Sequence, residues 1–159
     1  MLLLAFAAFT VPADEQDLPP FTFAGRNADT LTNTRLQGRL VYIYFWASWN
    51  QASRKHHPAL VKLYEKYRMK LQTSNKRFDV VGISLDEQEY AWKLAIKQDD
   101  LHWPFHHCDL KGWEGFYVQS FNINKIPQSF LINEQGKIIA RDLFGKSLEQ
   151  AVDSVLVSN

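Results

Sequence analysis

Ser53, His56 and His57 lie at i, i+3 and i+4, the spacing that gathers side chains on one helix face, and together they offer a hydroxyl and two imidazoles. A serine activated by histidine is the heart of a hydrolytic nucleophile. That chemistry also needs an orienting acid and an oxyanion hole, and the chain has no strained Gly-x-Ser-x-Gly elbow, so solvated helix histidines are the expectation. A second group, His102, His106, His107, Cys108 and Asp109, is built from metal-ligand types. Strand alternation sends His106 and Cys108 to one face and His107 and Asp109 to the other. At most two strand residues plus His102 can therefore converge on zinc or copper. No Cys-x-x-Cys pair reinforces such a site. Cys108 is the single cysteine, which rules out an internal disulfide. Its simplest role is a small buried strand residue; as a reactive sensor it needs exposure and a lowered pKa.

These side chains must be placed by elements that the chain's own patterning lays out. Residues 40–46 form an unbroken apolar run rich in aromatic and β-branched types, as in a central strand covered on both faces within a parallel sheet. From Ser53 the spacing turns helical, with Leu60, Leu63, Tyr64, Tyr67 and Leu71 on one face and Lys62, Glu65, Lys66 and Arg68 opposite. Pro58 falls inside this helix, where it deletes the hydrogen bond to the Arg54 carbonyl and kinks the axis. Residues 78–85 read as a second buried strand, 87–98 as a helix, 103–108 as a third strand and 115–121 as a short helix. Ile126-Pro127 introduces a strand over 129–133, which Asn133-Glu134-Gln135-Gly136 folds into a hairpin with 137–142. Ser147-Leu148-Glu149-Gln150 fits a capping box for a last helix reaching about Val157. The fold class is α/β: a mixed central sheet with helices on both faces and a C-terminal hairpin plus helix.

Composition narrows the partners. With 159 residues and 46% apolar content, the chain suits one compact domain, read as residues 18–159 behind an N-terminal apolar segment of residues 1–17. Lys and Arg total 18 against 17 acidic residues, a formal net charge of +1, which argues against a nucleic-acid groove or polybasic membrane patch. Protein or peptide partners are the expectation, and no cofactor is called for. Residues 1–13 resemble the apolar core and small-residue cleavage site of a secretory signal, although no basic residue precedes them. The apolar run of about nine residues is too short for a bilayer, which needs roughly 20. Aromatic residues make up 14% of the chain at core spacings, so Trp92, Trp103 and Trp113 read as packing residues.

The run Phe45-Trp46-Ala47-Ser48-Trp49-Asn50-Gln51-Ala52-Ser53-Arg54-Lys55-His56-His57-Pro58 resembles the active-site segment of thioredoxin-like proteins, in the TlpA-like, AhpC/TSA-related branch of thiol-disulfide oxidoreductases. There the matching run reads Phe-Trp-Ala-x-Trp-Cys-x-x-Cys-x-x-Glu-x-Pro, so Asn50 and Ser53 occupy the sulfur positions and His56 replaces the glutamate. The resemblance extends from Leu18 to the C-terminus through residues 80–86, 109–113, 126–133 and Gly136-Lys137. In that family a thiolate at the helix N-terminus attacks a disulfide and the second cysteine resolves the intermediate. Neither Asn50 nor Ser53 can do this, and the resemblance therefore implies a frame without its catalytic residues. Asparagine is instead among the best N-cap residues. Pro127 matches the family's cis-proline, whose preceding Ile126 backbone would pair with an extended peptide, with Trp49 flanking the groove.

Three functions follow. The first is a non-redox module that binds a peptide or protein in a groove of Trp49, Asn50, Ser53, His56, Ile126 and Pro127, without catalytic residues. The second is a single-cysteine redox protein or sensor acting through Cys108. The third is metal capture by His102, His106 and Cys108. Family resemblance and the N-terminal segment together suggest an extracytoplasmic, bacterial periplasmic setting.

Overall fold

The computed structural model describes residues 18–26 and 28–157; the proposed signal segment lies outside them. The apolar run becomes β3 (Arg39–Trp46), the middle strand of a five-stranded sheet. Parallel strands β4 (Arg77–Ser84) and β5 (Phe105–His107) extend the sheet on one side; on the other β6 (Gln128–Ile132) runs antiparallel to β3 and β7 (Ile138–Arg141) antiparallel to β6, in the order β5-β4-β3-β6-β7. A separate hairpin joins β1 (Thr22–Ala24) to β2 (Thr30–Thr32).

Side chains alternate along β3, so its single apolar run supplies two cores. Leu40, Tyr42, Tyr44 and Trp46 pack under α2 (His57–Lys70), α3 (Glu89–Gln98) and α5 (Gly145–Leu156). Val41, Ile43 and Phe45 face Phe21, Phe23 and Leu31 of the N-terminal hairpin region and Tyr117 and Val118 of α4 (Phe116–Ser120). The α/β architecture expected from the sequence is thus present, including the closing hairpin and helix.

Local departures have identifiable causes. The helix around Pro58 does not kink but breaks into α1 (Gln51–Arg54) and α2, because the proline has no N–H for the Arg54 carbonyl and its ring crowds that turn. The His56 N–H then tightens onto the Ser53 carbonyl at 3.1 Å. The third strand shrinks to residues 105–107: Pro104 offers no ladder donor, and Leu110 and Gly112 turn the chain away with positive φ. The last helix starts two residues earlier than Ser147. That hydroxyl sits at the third helical position, donating to the Phe144 carbonyl at 2.8 Å and accepting the Phe144 N–H at 3.3 Å. In the β6–β7 turn the Asn133 side chain accepts the N–H groups of Gln135 and Lys137.

Candidate functional site

The chain leaves β3 into a turn fastened by Asp86. Its carboxylate, buried beyond the end of β4, accepts the Ser48 N–H at 2.9 Å and the hydroxyls of Ser48 and Ser84. The turn leaves Trp49 57% exposed and sets Asn50 at the start of α1. The Asn50 Oδ1 accepts the Ser53 N–H at 2.7 Å, so the amide caps the helix. Ser53 points inward and is wholly buried, and its carbonyl accepts the Tyr44 hydroxyl at 2.5 Å.

The two adjacent histidines part company. His56 lies half-buried against Phe144, ring centroids 4.4 Å apart, and burial lowers its pKa. His57 corrects the expectation of a solvated pair: it is 0% exposed, wedged edge-on against Trp46 and Tyr44 at 4.8 and 5.7 Å. Its Nδ1 meets Asp99 Oδ2 at 2.7 Å, while Arg54 grips the same carboxylate through Nε at 2.8 Å and Nη2 at 2.7 Å. Burial nonetheless keeps the His57 pKa low, outweighing Asp99. Burial alone would raise Asp99, but Arg54 and His57 hold it below the usual carboxylate range. An acid therefore does orient a histidine beside Ser53. The hydrolase geometry still fails, because the Ser53 Oγ and His57 Nε2 make no hydrogen bond to each other and both residues are sealed from solvent. Sequence reading missed this clasp, since Asp99 was legible only as a residue ending a helix.

Ile126 and Pro127 reach the same end of the sheet from another element. Phe45 pairs with Gln128, so the loop before β6 lies beside the end of β3, where α1 begins. The Ile126–Pro127 peptide is cis. Ile126 is half-buried against the second core, and the Gln128 Oε1 beside it is buried with no hydrogen-bond partner among the described residues.

The second cluster disperses. The His102 imidazole pairs with Glu65 on α2; His106 stacks on Trp103 and turns its Nε2 to the Leu101 carbonyl at 3.1 Å; His107 packs between Phe23 and Tyr117. Cys108 donates to the Asp86 carbonyl at 3.3 Å, and burial raises its pKa, opposite to the demand on a reactive thiol. The expected convergence of His102, His106 and Cys108 on a metal is therefore corrected. Their carrier strand ends at His107, each side chain has a separate neighbour, and the described residues contain no group of three or more metal-type ligands.

A mixed sheet whose middle parallel strand feeds a capped helix, with a proline loop alongside, defines the thioredoxin-like class of proteins. A family model described as thioredoxin-like matches residues 38–138. The thiol-disulfide oxidoreductase ResA of Bacillus cereus is 27% identical over 135 residues, spanning 85% of this chain and 72% of that protein. Among solved structures, a thiol-disulfide oxidoreductase from Bacteroides fragilis NCTC 9343 is 30% identical with a TM-score of 0.73, covering 89% of this chain and 100% of that one. The thioredoxin domain of thiol-disulfide oxidoreductase BVU-2223 from Bacteroides vulgatus is 26% identical with a TM-score of 0.74, covering 91% and 99%. The chain belongs to the thioredoxin-like family, within its TlpA- and ResA-like thiol-disulfide oxidoreductase branch.

Proposed function

We propose that this protein is a thioredoxin-like binding module that engages an extended segment of a protein partner without disulfide exchange. Asn50 and Ser53 stand in for the family's two cysteines, and Trp49, Asn50, Ile126 and Pro127 form the binding edge, with Ser53 and His56 supporting it from within. The observation that carries this reading is the pairing of an exposed Trp49 with an Asn50 whose side chain is committed to capping. An indole at the rim offers a large apolar contact at low entropic cost, and the loop before β6 offers backbone groups to an extended chain. The domain is taken to run over residues 18–159, working outside the cytoplasm. Among the described residues no helix is long and apolar enough to cross a membrane.

Two measurements test the proposal. In a disulfide-reductase assay recycled with dithiothreitol, the protein is expected to give background turnover; turnover that survives Cys108→Ser contradicts it. In an NMR titration with extended cysteine-free peptides, shifts are expected at the Trp49 indole and around Ile126 and Gln128. Saturable binding that leaves those signals unmoved also contradicts it.

A further inference from the structure

On the face of the sheet beneath α2, three nitrogens from two segments converge on a glycine of a third. Gly82 of β4 pairs in register with Tyr44 of β3 and His106 of β5, and Trp46 lies two residues beyond Tyr44 on the same face. A β-carbon at Gly82 would sit 3.3 Å from Trp46 Nε1 and 3.4 Å from both Trp103 Nε1 and His106 Nδ1. All three atoms are buried, and none has a hydrogen-bond partner among the described residues. Both indoles are at 0% exposure.

The chemistry of the trio is fixed by its surroundings. Each indole nitrogen is only a donor. His106 Nε2 faces the Leu101 carbonyl, which can only accept, so Nε2 carries the proton and Nδ1 presents a lone pair. The site therefore shows two donors and one acceptor. An anion would satisfy the indoles but meet the Nδ1 lone pair; a cation would satisfy Nδ1 but meet two N–H groups; an apolar filler would leave all three unpaired, which buried polar groups rarely are. A water molecule is the ligand that accepts twice and donates once, and three hydrogen bonds are typical of internal waters.

We propose that Trp46 Nε1, Trp103 Nε1 and His106 Nδ1 bind one internal water against the bare face of Gly82. The site accounts for a glycine in the middle of a buried strand, where it otherwise weakens packing and marks close approach of another group. It also gives Trp46 a second restraint besides the edge-on contact with His57, and so stiffens the last residue of β3 before the Trp49–Asn50 turn. The inference is independent of whether the chain binds a peptide.

The test uses the whole protein labelled with nitrogen-15 and water itself as the probe. Water-selective NOE and ROE spectra should show direct, long-lived contacts to the indole protons of Trp46 and Trp103. The exposed Trp49 indole should show only the signature of fast surface hydration. Absence of the contact at either buried indole overturns the proposal. Gly82→Ala gives the second reading: a methyl group in the water's place leaves the nitrogens unpaired, so both contacts should vanish and Tm should fall by about 4–8 °C. An unchanged or raised Tm in Gly82→Ala therefore overturns the proposal as well. If Gly82→Ala fails to fold, the wild-type spectra decide alone.

Discussion

At the scale of single residues, the contrast between Asn50 and Ser53 is one of commitment. Asn50 closes the first turn of α1 by accepting the Ser53 N–H, and that bond occupies the amide where a family thiolate would stand ready. Asn50→Ala should lower unfolding free energy by about 1 kcal/mol in urea titrations, the usual cost of losing a side-chain cap. Ser53 is buried against Tyr44, so a sulfur there would be shielded from bulk solvent. The double variant Asn50→Cys, Ser53→Cys should acquire measurable disulfide exchange, because the strand, the helix start and the proline loop remain in place. Its rate should stay low, since the His56 ring stacked on Phe144 does not supply the acid that serves proton transfer in the family. A folded double variant with no exchange would mean that the proline loop no longer approaches the helix start productively.

Elements are held by a clasp rather than by continuity. Pro58 separates α1 from α2, and the junction is fastened sideways to α3, whose C-cap residue Asp99 receives both Arg54 and His57. Removing one partner of a buried polar pair leaves the other unpaired and costs more than the pair contributes. Asp99→Ala should therefore destabilise by about 2–3 kcal/mol, the partial exposure of Arg54 keeping the loss at the lower end. Arg54→Ala should cost less, because His57 keeps its acceptor. Chemical denaturation of the two variants side by side checks the order.

For the whole molecule, the buried histidines set the response to acid. Burial lowers the pKa of His57 and His107, and brings His106 down to about 4. The unfolded chain, with histidines near 6.5, then binds more protons than the folded one across this window. Stability is fully present above about pH 6.5 and is lost as pH falls towards about 4. His106 alone accounts for a loss on the order of 3 kcal/mol. The Arg54- and His57-bound Asp99 adds a further loss at still lower pH, whereas Asp79, raised by burial, acts in the opposite direction earlier, restoring stability as pH falls towards 3.8. Urea unfolding at pH 7, 6 and 5 should show a steady decrease; a flat profile would mean these imidazoles are protonated in place.

What the sequence determined by itself is the frame. The unbroken run in β3, the helical spacing of Leu60, Leu63, Tyr64 and Tyr67, and the Asn133–Gly136 turn are local patterns whose periods dictate element type, and they placed the sheet and its helices. Asn50 as a cap was legible for the same reason, since capping acts over three residues. Tertiary structure decided which polar side chains meet. Asp99 lies 42 positions from His57, and Trp46 and the Trp103–His106 stretch come from two segments that only the sheet order and its register bring to Gly82. The same packing scattered His102, His106 and Cys108, whose closeness in sequence had suggested a common site. Spacing along the chain reports on neighbours one turn or one pleat away; burial and pairing across the sheet depend on the register of distant strands, which no local period encodes.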